Sequence, residues 1–526
     1  MGLDIVIRGG GLVDGSGAAP VQADLGIAAG RVAAIGRIEG RGELELDGAG
    51  CLVTPGFIDI HSHSDFTLLV DPRAVSAVKQ GVTLEVIGNC GFGCAPIGDP
   101  ALAKDNIYGV TDDVPLNWTS LAGYFDRLEA ACPAINVVAL VPNGQLRRAV
   151  VGVADRPAGA DEVAAMKRLL AQGLEEGAFG YSTGLEYPAE TGAGEEEVTA
   201  LCRVVAEAGG LYATHTRDRD RHALAAIEEA LRTADRAGVR LQVSHIAPRS
   251  GDAMAERAIE IVEHARSRGQ DVGFDMHTRR FGTTMLSAML PPWALADGPQ
   301  ALAHHLGSAE SRKRMRQFHS IISGTGDWSA LVLLDNRLFP QYARRDFADI
   351  ARERGQDPFD AAFDILLAYR DRPREPMVII HSYSEAMQRA VFQQDRCLPG
   401  SDATTLAPDG PLAAQAFHGA YSWAAWFFRF MVRETGLLTA EAAIRRLTLL
   451  PAQTLGLPDR GILAIGAQAD VAVFDPAHFG ERATIFEPNQ LAQGMRHVIV
   501  NGTPTLQDGE LTGARSGHVL RRTGRR

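Results

Sequence analysis

The strongest constraint on this chain is a rhythm. From residue 56 onward, eight short apolar runs alternate with stretches of helical period, and most runs close on a polar residue. The runs end at His63, Cys90, Pro142, Leu185, Thr216, Ile246, Thr278 and Asp402. Between them, "DEVAAMKRLLAQGLEEG" and "HALAAIEEALRTADRAG" carry apolar residues at i, i+3, i+4 spacing, the mark of helices that bury one face. Eight strand–helix units predict an α/β fold of the (β/α)8 barrel type over residues 56–455. The gap from about 285 to 375 is too long for a connecting loop and predicts an insertion or lid. At its end "PMVIIHSY" (376–383) reads as one extra strand. The two chain ends share a different texture. "DIVIRGGGLVDG" and "ADLGIAAGRVAAIG" near the start match "GILAIGAQADVAVFDP" and "MRHVIVNGTPTLQDGELTG" near the end, all short strands broken by glycine turns. A few strands bury little alone, so residues 1–55 and 456–526 are expected to pair into one small β-sandwich domain.

Barrel active sites sit at the C-terminal ends of the strands, so the residues there carry the chemistry. In "GFIDIHSHSDF" His61 and His63 lie two apart, and alternation along a strand turns them to one side. "LEVIGNCG" ends with Asn89 and Cys90, "LYATHTR" brings His215, "LQVSHIA" brings His245, and "LPGSDAT" brings Asp402. A single histidine at such a position is ordinarily a hydrogen-bonded rim residue. Four histidines, a cysteine and an aspartate aimed at one mouth describe a metal site. Imidazole with thiolate favours zinc over magnesium or calcium. Two neighbouring metals need a bridging anion, and a carboxylated lysine serves in some barrels. The four lysines, Lys79, Lys104, Lys167 and Lys313, all miss the strand ends, which leaves Cys90. Its rival roles are an inert buried thiol and a nucleophile. Cys94 reads as structural. Asp402 could also cap a helix, because "SDATT" can open one.

Other functions fit poorly. A net charge of −12 argues against nucleic acid and anionic membrane surfaces. No apolar run reaches the roughly 18 residues of a membrane span. "MGLDIVIRGG" does not read as a secretory signal, and six scattered cysteines are no disulfide framework, so the cytoplasm is the expected compartment. Nothing in the residues speaks to oligomeric state.

The stretches "GFIDIHSHSD", "GVTLEVIGNCGFGCAPI", "GAFGYSTGLEYPA", "YATHTRDRD", "LQVSHIAP", "GSDATTLAP" and "GAQADVAVFD" resemble the D-aminoacylases (N-acyl-D-amino-acid deacylases) of the amidohydrolase superfamily, in family order and over nearly the whole chain. The resemblance implies a barrel with a β-sandwich and a tight zinc on Cys90, His215 and His245. It further implies a weaker second ion on His61 and His63 bridged by Cys90, with Asp402 as the catalytic carboxylate, and hence hydrolysis of a small linear amide. Asp402 would take a proton from water and return it to the departing nitrogen. "YSTGLEYPA" would line the pocket through Ser182 and Tyr187. Two departures bear on substrate. The lysine usual two residues after the second zinc histidine is Ala247, and a "DxYPY"-like stretch is replaced by "DMHTRRFGTT". Both family residues help hold a substrate carboxylate. Either Arg217, Arg249, Arg279 or Arg280 takes over, or the substrate carries no carboxylate there; the balance leans to a substrate other than a simple N-acyl-D-amino acid. A cyclic-amide hydrolase of dihydroorotase or hydantoinase type is the main alternative, and the lack of a placed lysine counts against it.

Overall fold

The structure is a computed structural model that describes residues 2–295, 297–318, 320–324 and 326–522. Its centre is a sheet of eight parallel strands: Phe57–Asp59, Val82–Ile87, Asn136–Pro142, Gly180–Gly184, Leu211–His215, Arg240–Val243, Val272–His277 and Cys397–Gly400. Each strand pairs with the next in sequence, and every residue of the second and third is buried. That continuous burial is why they read as unbroken apolar runs rather than alternating ones. The helices between them cover the outside. Ala223–Ala237, for example, turns Ala226, Ile227, Ala230, Leu231 and Ala234 inward at helical spacing.

The barrel shuts without a regular ladder between its first and last strands. Asp402 N–H donates to His61 O (2.9 Å), His63 N–H donates to Ala403 O (2.9 Å), and Ser401 N–H donates to the buried Asp59 carboxylate (3.0 Å). The first strand ends at Asp59, short of the histidines expected on it. Ser62 N–H nevertheless donates to Val86 O, so extended pairing continues past the regular strand.

Strands from both chain ends are hydrogen-bonded into one nine-stranded sheet that encloses a core of its own. Its long strand, Leu3–Leu12, shifts register between Ile7 and Gly10. Residues Leu3–Arg8 pair with Gly42–Asp47, and Gly11 and Leu12 pair with Leu52–Pro55. A Cβ on Gly10 would lie 2.3 Å from Val53 Cγ2, so "RGGGL" is the bend that lets one strand serve two neighbours. Val471–Phe474 and Met495–Val500 continue the sheet, which ends at Thr503–Gln507 and Glu510–Leu511, around a core of Ile5, Ile27, Val53, Val471 and Ile499. The last segment then leaves the sheet, and Val137 on the third barrel strand bonds His518 O and Leu520 N.

The insertion is wider than the sequence gap suggests. It begins with Phe281–Met285, which pairs with Met377–His381, and that strand pairs with Leu331–Leu333. The extra strand is thus the middle of a three-stranded sheet. Helices including Phe347–Arg354 and Pro358–Ala368 give this unit its own core of Leu302, Phe347, Phe363 and Leu366. No helix among the described residues is long and apolar enough to cross a membrane.

Candidate metal centre and active site

The six residues picked from the strand ends meet at the barrel mouth. His61, His63, Cys90 and Asp402 offer donor atoms within 4.8 Å of one another, and so do Cys90, His215 and His245. Cys90 belongs to both groups. Its Sγ lies 3.1 Å from His61 Nε2 and 3.5 Å from His245 Nε2. Asp402 Oδ1 lies 3.2 Å from His63 Nε2 and 3.6 Å from His61 Nε2.

The backbone that holds these groups is strained. Cys90, His245 and Asp402 have φ of 52°, 35° and 44°, a region that side chains disfavour and that clusters at functional sites. Around Cys90 the turn is pinned from below. Ser182 Oγ donates to Gly88 O and accepts from Gly91 N–H (3.0 Å). A Cβ on Gly91 would fall 1.7 Å from Glu190 Oε1, so only glycine fits beside the cysteine.

Hydrogen bonds fix the ring orientations. Asp275, on the seventh strand, meets His61 Nδ1 at 3.0 Å and accepts from His245 N–H at 2.8 Å. His215 meets Glu186 at Nε2 (2.7 Å) and the Tyr187 hydroxyl at Nδ1 (3.2 Å). Burial drives His63, His215 and His245 toward the neutral form, whereas at His61 burial is outweighed by the neighbouring Cys90 and Asp275, which raise it well above the usual value. His215 falls to about 4 despite Glu186, His63 is lowered despite Asp402, and His245 drops well below the usual value through burial and the Arg219 charge. Burial pushes the Cys90 thiol up, so a thiolate there needs a strong cation beside it. Asp402 behaves oppositely. Burial opposes its ionisation, but the His63 hydrogen bond and the Arg279 guanidinium hold it well below the ordinary carboxylate range.

Imidazoles, a shared thiol and a carboxylate suit zinc. Zinc–ligand lengths put tetrahedral donors about 3.3–3.6 Å apart; four of the donor pairs here lie 3.1 to 3.6 Å apart, and all donors of each group fall within 4.8 Å.

The substrate side departs from the sequence expectation. Ser182 is fully buried with its hydroxyl spent on backbone, so it braces the Cys90 turn instead of lining the pocket. Tyr187 does stand at the mouth, beside Phe92 at 4.9 Å between ring centres, with Tyr108 next to Phe92 at 4.7 Å. The four arginines are all engaged. Arg217 forks onto Glu229 and the Thr191 and Ala193 carbonyls. Arg249 lies between Glu186 and Asp220. Arg279 donates to Asp402 Oδ2 (2.9 Å), and Arg280, at the rim, pairs with Glu385 at 3.3 Å. Arg279 and Arg280 line a cleft of about 400 Å³ with Phe281, Tyr383 and His418. None of the lysines reaches the site: Lys79 donates to Gly509 O, Lys104 pairs with Asp112, and Lys167 and Lys313 are exposed.

Sequence reasoning passed over Glu186, Asp275, Tyr108, Arg219 and His277. Asp275 and His277 stand in "VGFDMH", at the end of an apolar run, and that position was a usable signal. Tyr108 lies in a loop with no pattern to mark it.

A (β/α)8 barrel whose mouth gathers two histidine-containing donor groups sharing Cys90 has the architecture of a metal-dependent hydrolase. The chain belongs to the amidohydrolase family, whose model matches residues 45–506, and is a hydrolase of carbon–nitrogen bonds other than peptide bonds. It is 30% identical to a D-aminoacylase of Alcaligenes xylosoxydans xylosoxydans over 99% of this chain and 98% of the relative. It is 34% identical to the N-acyl-D-glutamate deacylase of the same organism over 99% and 97%. Among solved structures it matches the Bordetella bronchiseptica N-acyl-D-glutamate deacylase, complexed with zinc and a phosphonate inhibitor. That match has a TM-score of 0.80 and 31% identity, over 99% of this chain and all of the other.

Proposed function

We propose that the chain is a zinc-dependent deacylase of N-acyl-D-amino acids. The observation that carries the reading is the double use of Cys90, which belongs to one donor group with His215 and His245 and to another with His61, His63 and Asp402. The first would hold a tight zinc and the second a weaker ion. Zinc bound there supplies a Lewis acid that makes water nucleophilic near neutral pH.

The chain's own residues supply the rest. Asp402 is kept ionised by Arg279, so it can take a proton from the attacking water and return it to the departing nitrogen. Tyr187 offers a hydroxyl to the carbonyl oxygen. Phe92, Tyr108 and Tyr187 form an aromatic wall for apolar substrate groups. The lack of a lysine near the mouth sets aside cyclic-amide hydrolysis of the carboxylated-lysine kind. Residues 1–55 and 456–526 would act as a support for barrel 56–455, contributing none of the donor groups. Six unbridged cysteines suit a reducing compartment, and we assign the enzyme to the cytoplasm.

The test is a screen of N-acetyl-D- and N-acetyl-L-amino acids beside neutral amides and cyclic imides, with metal analysis of the same protein. Cleavage of N-acetyl-D-amino acids by protein holding at least about one zinc per chain is expected. Full activity in metal-free protein, or activity on cyclic imides alone, sinks the reading.

A further inference from the structure

Arg219 is the odd cation of the mouth. Its neighbours Arg217, Arg249, Arg279 and Arg280 each meet a carboxylate, whereas Arg219 forms no ion pair with any described residue. It is only 7% exposed. Its Nη2 donates to His245 O (2.8 Å), to Ala247 O (3.0 Å) and to the Tyr383 hydroxyl (2.9 Å). Nε and Nη1 carry no hydrogen bond, yet neither is among the sealed polar atoms, so both face accessible space. A guanidinium withdrawn from water without a counter-charge is costly. Its natural complement is an anion from outside the chain.

Two more donors stand beside it. A guanidinium cannot accept a hydrogen bond, so the Tyr383 oxygen accepts from Arg219 and its own proton is left to give. His277 is buried; its Nδ1 is sealed, whereas its Nε2 carries no hydrogen bond and is not among the sealed atoms, so that nitrogen faces accessible space. The His277 ring lies 5.1 Å from Tyr383 and 6.5 Å from the His245 ring, and the Arg219 Cζ lies 5.9 Å from the centre of the Tyr383 ring. The cluster therefore adjoins the metal centre on the strand-six side. Ala247 offers only a methyl there.

We infer that Arg219, Tyr383 and His277 form an anion subsite that binds the α-carboxylate of the substrate. The assignment rests on the deacylase reading above and names the group that the substrate presents. It also gives the insertion a place in the site, because Tyr383 follows the insertion strand Met377–His381. In an N-acyl amino acid the α-carboxylate is three bonds from the scissile carbonyl carbon, which requires a subsite next to the metal cluster and not in the outer cleft.

The experiment compares N-acetyl-D-methionine with its uncharged amide in zinc-loaded, full-length protein. Wild type should prefer the acid, and Arg219→Gln should lower the acid-over-amide ratio of kcat/KM at least about tenfold, chiefly through KM. Binding without turnover gives an independent readout. Titrated onto Asp402→Asn, the acid should bind more tightly than the amide, and adding Arg219→Gln should erase that difference while zinc content stays unchanged. If Arg219→Gln does not fold, Arg219→Lys serves: it keeps charge but loses the planar fork, so acid preference should fall severalfold. Equal handling of acid and amide by wild type, or an unchanged ratio in the folded variants, overturns the subsite. A loss confined to N-acetyl-D-glutamate over N-acetyl-D-glutamine would assign Arg219 to a side-chain carboxylate and overturn it as well. If wild type cleaves neither compound, the deacylase reading fails, and the titrations alone decide whether the subsite stands.

Discussion

The metal half and the substrate half of the mouth are built in different ways. On the metal side, His61, Cys90, His215, His245 and Asp402 each stand within a few residues of a strand end, and buried hydrogen bonds hold them from behind. On the substrate side, the arginines come from loops, and their acids lie across gaps of 12 residues for Arg217 and 63 for Arg249. Strand-borne donors are fixed by the barrel itself. Loop-borne cations are fixed only by whichever acid reaches them, and the one that no acid reaches is the one with a binding role.

The largest expected effect is on the metal side. Cys90→Ala should remove most of the zinc and reduce activity to background, because the thiol is common to both donor groups and neither group contains a second cysteine. Metal analysis and assay of one preparation check this, and a variant that stays zinc-loaded would dissolve the contrast between the halves. Asp402→Asn comes next. It should keep zinc and fold but lose roughly 10²-fold or more in turnover, since an amide cannot accept the proton. Near-normal turnover would move the base elsewhere.

These two effects fall on residues that were legible in the sequence, for a physical reason. Strand and helix periods are local, so the eight runs, their order and the donors at their ends can be read along the chain. Arginine partners cannot be read that way, because side-chain reach across loops sets them. Ser182 shows the same limit: its place in "GYSTG" suggested a pocket group, and only the fold reveals that it braces Gly88 and Gly91. The nine-stranded sheet was half legible. The strands of both chain ends were evident, but the bend at "RGGGL" that joins them into one sheet depends on Val53 packing against Gly10.

A third, smaller effect sharpens the comparison between arginines. Arg249→Met leaves the Glu186 and Asp220 carboxylates short of a buried partner and should cost about 3–5 kcal/mol of stability. Arg217→Met, whose pair with Glu229 is more open, should cost about 1 kcal/mol. Urea denaturation of the two proteins separates these values, and equal losses would erase the distinction between a framework cation and a rim cation.

The smallest effect is a pH slope. Burial pushes the Glu190 carboxyl up to about 7, against the pull of the Gly184 N–H and the Asn143 side chain. Between the usual 4.5 and about 7 the folded chain keeps a proton that the unfolded chain has released. Glu190 therefore makes stability fall as pH rises through that window. Glu190→Gln should flatten the change in Tm between pH 5 and pH 7.5. An undiminished slope in the variant would transfer the effect to another buried acid.

The seam of the barrel has a consequence for the order of assembly. Strands one to seven pair in sequence, but the bond from the Ser401 hydroxyl to His61 O joins residues 340 apart, with the insertion and its separate core lying in the intervening chain. Closing so long a segment is the slowest kind of contact to form. A chain folded through its seventh strand would already gather Cys90, His215 and His245, but Asp402 would still be away. On the proposed assignment the nascent enzyme would collect its metal before it could turn over, and catalytic competence would arrive only with the final strand.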